Sequence, residues 1–108
     1  MDDLEDRYVA IIDALDWAEP ARHVEALREL ADLGQADAMN LLAVLLDDID
    51  GAAHRDEIIA LYERAFDLGS WVSAGNLAIQ YRQWNELDLS RIWEAKADAA
   101  EAAAASPG

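Results

Sequence analysis

Apolar residues recur three and four positions apart in six blocks along the chain, the spacing of helices that each bury one stripe. Leu4, Tyr8, Ile11, Ile12 and Leu15 make the first, predicting a helix over 3–16 with Asp2 or Asp3 as its N-cap. After a break at Trp17-Ala18-Glu19-Pro20, the proline opens a second helix, 20–33, which turns Val24, Leu27, Leu30, Ala31 and Leu33 inward and ends at Gly34. The third, 36–48, is apolar nearly all round. Ala38, Leu41, Leu42, Leu45 and Leu46 fill one side, with Met39, Ala43 and Val44 on the other, so it should pack on more than one face.

The polar stretch 47–53 reads as a loop. A fourth helix, 55–68, turns in Ile58, Leu61, Tyr62, Ala65 and Leu68 and stops at Gly69. Ser70 is the natural N-cap of a fifth, 71–83, with Ala74, Leu77, Ala78 and Tyr81 inward. The sixth begins near Leu87, places Leu89, Ile92, Trp93 and Lys96 on one side and runs into the alanines of 97–105, with Ser106-Pro107-Gly108 as a stop. Alanine favours helix but has little to bury, so 101–108 reads as a tail that frays.

One stretch nearly repeats. Gly34 matches Gly69, Leu42 matches Leu77 and Ala43 matches Ala78, each pair 35 residues apart, the period of stacked helix pairs that cannot bury their apolar faces alone. Short loops make successive helices antiparallel. The expected fold is all-α: a short right-handed α-solenoid of three antiparallel hairpins over 1–100, with a compact helical bundle as the alternative.

Composition narrows the function. Eight Lys and Arg against 23 Asp and Glu give a formal charge of −15, which repels phosphate backbones and anionic lipid heads, so neither nucleic acid nor membrane is expected as a partner. Without cysteine there is no disulfide framework and no thiolate zinc site. The start, Met1-Asp2-Asp3-Leu4-Glu5-Asp6, is acidic where a secretory signal is basic, and no apolar run approaches the roughly 20 residues that span a bilayer, so a cytoplasmic protein is expected.

The segment from Val24 to Lys96 resembles the Sel-one-like repeat, a relative of the tetratricopeptide repeat. Ala31, Gly34, Ala38, Leu42, Ala43 and Leu46 carry the pattern once; Tyr62, Ala65, Phe66, Gly69, Ser73, Asn76, Leu77, Ala78 and Tyr81 carry it again. Leu41 stands where the family has Asn, Ala43 and Ala78 where it has Gly, and the first helix lacks the small residues, which makes that helix a cap. The resemblance implies adaptor work, with the first helix of each pair lining a face that holds a peptide or protein, and no catalytic residues.

The chemistry-bearing residues form no reactive constellation. Read as a calcium loop from Leu46, the chain aligns Asp48, Asp50, Gly51 and Glu57 with the ligand and glycine positions, but a leucine fills the first and cannot coordinate. His23 and His54 stand apart, and no serine sits in a nucleophile elbow. No enzyme activity, metal or cofactor is expected. Trp93 reads as core, whereas Trp17, Trp71 and Trp84 are either wedges between helices or interface anchors.

The partner-binding residues expected of a groove are the polar sides of the third and fifth helices. These are Asp37, Asn40 and Asp47 on one and Ser73, Asn76, Gln80 and Gln83 on the other, with Trp84 at the rim. Amides there can pair with an extended peptide, and the two aspartates favour a basic one. The reading is a non-catalytic interaction module for a basic protein or peptide; the alternative is an acidic inhibitor or immunity-type protein that blocks a basic toxin or nuclease. A homodimer would cover an exposed end of the array.

Overall fold

The computed structural model describes residues 3–105. Its helices are α1 (Leu4–Asp13), α2 (Val24–Asp32), α3 (Ala36–Asp50), α4 (Arg55–Asp67), α5 (Trp71–Gln83) and α6 (Leu87–Ala105), with one 3-10 turn, Pro20–His23, ahead of α2. Among the described residues there is no strand. The stop expected at 106–108 lies outside them.

Three of the helix ends share one geometry. Gly34 takes φ +93, the Gln35 N–H donates to the Leu30 carbonyl at 3.0 Å and the Gly34 N–H to that of Ala31 at 3.0 Å. Gly69, at φ +102, repeats it with Ser70 to Ala65 and Gly69 to Phe66. Asn85 does the same without glycine, at φ 61, with Glu86 to Tyr81 and Asn85 to Arg82. These are paired six-to-one and five-to-two closures around a left-handed residue. They also correct two expectations: Leu33 and Leu68 immediately precede the glycines, where the chain is leaving its helix, and each is 53% exposed rather than inward.

The helices form two layers. Cross-links join α2 to α4, through the Arg28–Glu57 pair and an Arg64 N–H donated to the Ala31 carbonyl, and α4 to α6, through the perpendicular rings of Phe66 and Trp93 at 5.6 Å. The odd-numbered helices are linked by Gln35 Nε2 to Glu5 and by side-chain bonds between α3 and α5. The resulting slab measures 38 × 35 × 20 Å. Helix packing is heaviest between sequence neighbours, within α3–α4 and α5–α6 above all, and lightest between α1 and α2, an arrangement that a compact bundle also allows.

The core runs between the layers. Leu27, Leu30, Ala38, Met39, Leu42, Ala43, Leu45, Leu46, Ile58, Ala65, Ala74 and Leu77 are all but sealed from solvent, so α3 is indeed packed on more than one side. Four boundaries and stripes differ from expectation. α1 ends three residues early and buries nothing fully; Leu4, Tyr8, Ile11 and Leu15 are half-covered and Ile12 is exposed. Pro20 opens a 3-10 turn, with His23 Nε2 accepting from the Asp16 N–H at 3.1 Å and so tying the turn to the linker. α3 continues through 50, because Asp50 accepts from the Ala53 N–H and closes the next turn directly. On α6, Leu89 and Ile92 face solvent; Trp93 is buried as expected, and Ser90 joins it in their place, its hydroxyl donating to the Ala78 carbonyl at 2.8 Å. A hydroxyl that satisfies a helical carbonyl across the interface turns the helix by about one position.

Candidate functional site

Six of the eight groove residues gather where α3 and α5 run side by side, four of them occupied with each other, while Asp37 stands apart in the first turn of α3 and Trp84 packs beside Arg55 of α4. Ser73 donates to Asn40 Oδ1 at 2.7 Å, Asn40 Nδ2 donates to Ser70 Oγ at 3.2 Å, and the two serine oxygens stand 2.9 Å apart. Two helical turns further on, Gln80 Nε2 donates to Asp47 Oδ1 at 3.1 Å and approaches Gln83 Oε1 at 3.4 Å. Asn40 to Asp47 and Ser73 to Gln80 are both steps of seven, which keeps each pair on one helix face. Ser73 and Gln80 are buried. The expectation that they face a groove is therefore corrected: they clasp two helices together.

Ser70 occupies the N-cap position of α5 without capping it, since its hydroxyl is turned toward Asn40 and Ser73. At the equivalent position of α3, Gln35 does cap, accepting from the Ala38 N–H at 2.8 Å. Gly51 has its own part here. It follows Asp47 by one turn, and a Cβ at Gly51 would lie 2.3 Å from Asp47 Oδ1; glycine leaves the carboxylate room to reach Gln80.

Asp37 and Asn76 remain open, and Gln83, held only by the long bond from Gln80, is exposed. Asn76 and Gln83 border a hollow of about 200 Å³ with Val44, Ile79 and Tyr62, floored by the Asp47–Gln80 clasp. Its volume is below the roughly 300–1,000 Å³ of small-molecule sites and suits one inserted side chain. Burial, and then the Asp47 charge, push the Tyr62 phenol up to about 12, so the wall of the hollow stays neutral and the aspartate supplies its charge. Val44 and Ile79, both exposed, were not among the expected groove residues; an apolar residue on a polar helix face was the available signal.

The tryptophans separate by role. Trp84 is a wedge: it meets Tyr81 edge to face at 6.1 Å and lies under the Arg55 guanidinium, 4.6 Å away, while Arg55 also pairs with Glu86. Trp93 is core, with the Lys96 ammonium over its ring. Trp17 and Trp71 are exposed.

The acidic loop is rearranged. Asp48 and Asp50 belong to α3, and Glu57 is bound through both oxygens by Arg28 at 2.9 and 2.8 Å, which holds its carboxyl below the usual range. Among the described residues no group of three His, Cys, Asp or Glu is placed to hold an ion, and no helix is long and apolar enough to cross a membrane. Comparisons of the chain with protein-family models, curated proteins and solved structures find no match.

Proposed function

We propose that this chain is a non-catalytic protein-interaction module of the Sel-one-like type, working by shape and charge on a partner with basic character. The observation that carries the reading is the hollow between α3 and α5. There an apolar pair, Val44 and Ile79, stands beside open amides and the Asp47 carboxylate, a combination that takes a lysine or arginine side chain by its apolar stem and its charged head. The acids that outnumber bases across the chain steer such a partner toward it.

The charge also supports a second reading, an acidic inhibitor of a basic toxin or nuclease. The two differ in kinetics: an inhibitor associates fast with one folded protein and loses that speed in salt, whereas an adaptor holds a flexible segment modestly. The test is capture of natural partners from lysate of the source cell at low and moderate salt, with wild type beside a Val44→Lys chain. One protein retained by wild type and lost by the variant is the expected result. Absence of any saturable partner sinks the module reading.

A further inference from the structure

A second groove, of about 340 Å³, runs between α5 and α6 and adjoins the first hollow, with Asn76 and Ile79 lining both. Its floor is Trp71, Val72, Gly75, Ile79 and Ala97, and its α6 edge carries Glu94, Asp98 and Glu101. The repeat period identifies what it corresponds to. Advancing 35 residues takes Asn40 to Gly75, Val44 to Ile79 and Asp47 to Arg82; the first and last of that α3 set are the residues that clasp α5. The groove is thus the seat that a next helix would occupy, as α5 occupies the one before it.

Two features show that the seat is adapted to something other than another copy of α5. The clasping asparagine and aspartate are replaced by Gly75 and Arg82, and Arg82 turns to Glu94 at 3.4 Å. Gly75 lies in mid-helix, where glycine is less stable than alanine, yet its own fold gives it no reason: a Cβ there would meet only Ala97, at 3.9 Å. A bare backbone on a groove floor is what close approach by an outside element needs.

We infer that this groove receives an amphipathic helix of a partner protein, with small apolar residues against Gly75, Val72 and Ile79 and Lys or Arg along the Asp98 and Glu101 edge. Asp98 and Glu101 make no ion pair among the described residues. A second copy of this chain is the poorer occupant: α1, α2, α3, α4 and α6 each carry more acids than bases and would set like charge against the edge, and α5, which carries one arginine and no acid, is itself the floor of the groove. The inference rests on the module reading and names a surface and a partner class for it. From Val72 to Arg82 the seat is about 15 Å long, three turns of helix.

The test titrates a fluorescein-labelled helical peptide of about 18 residues, long enough to hold a helix, bearing an Ala/Leu stripe flanked by Lys and Arg, and reads anisotropy. Saturable binding is expected, weakened at least about tenfold by Gly75→Leu, which fills the floor, and separately by Asp98→Lys with Glu101→Lys. The control, Asp32→Lys with Asp48→Lys, makes the same charge change on other exposed sites and should leave binding intact. No saturation by about 1 mM, equal loss in the control, equal binding of a scrambled peptide, or a self-association that Gly75→Leu abolishes would each overturn the groove. A natural partner lost with Val44→Lys yet indifferent to Gly75→Leu would overturn it while leaving the module reading in place.

Discussion

At the residue scale, the polar side chains between α3 and α5 carry the clearest consequences. Asn40→Ala takes from the buried Ser73 hydroxyl the shorter of its two acceptors, leaving Ser70 Oγ at 2.9 Å, and removes the α3 half of the clasp; the lost hydrogen bonds are worth about 1 kcal/mol, and urea unfolding should show that loss in the midpoint. Tyr62 titrates in the alkaline range. Its folded pKa is raised to about 12 above an unfolded value near 10, so the folded state holds the proton longer. Stability is then fully present below pH of about 10 and falls as pH rises toward 12. Tyr62→Phe should flatten that decline in thermal melts taken across the range, at little cost below it, because the phenol makes no hydrogen bond within the described structure. Gly34→Ala and Gly69→Ala should each cost about 1 kcal/mol, since alanine is strained at φ +93 and +102. Asn85→Gly at φ 61 should be neutral or stabilising. Denaturation midpoints that move alike for all three would contradict this.

At the scale of elements, α1 stands apart. None of its residues is fully buried, whereas α3 seals six. Native-state hydrogen exchange should therefore find α1 amides opening far more readily than those of α3, by a local rather than a global route. This element also shows how far the chain could be read in advance. The period of apolar residues and the two glycines located all six helices, because burial of a stripe and a left-handed stop leave marks in the linear order. The inward direction of α6 was not legible: Leu89 and Ile92 look more buryable than Ser90, and only the carbonyl of Ala78, 12 residues away, makes serine the inner residue. The groove face was half legible for the same reason. Asn40, Ser73, Asp47 and Gln80 mark the right place on α3 and α5, yet a polar side chain awaiting a ligand and one bonded to the next helix look identical until the helices are set side by side.

At the scale of the whole molecule, charge and layering decide behaviour. With 23 acids and eight basic residues, most carboxylates have no cation to pair with. Screening their mutual repulsion outweighs the weakening of exposed pairs such as Arg7–Glu29. Melting temperature should accordingly rise from low to moderate ionic strength; a fall would mean that the ion pairs dominate. The neighbour-to-neighbour packing of the two layers also bears on how the chain reaches this state. Most contacts close short loops, so little entropy is spent before each is rewarded, and low contact order goes with rapid folding. The α3–α4 hairpin, the heart of the core, is the natural nucleus from which structure spreads both ways. In that spread α5 and α6 lie at one end, so a helix bound in the groove between them would lengthen the zipper rather than start it.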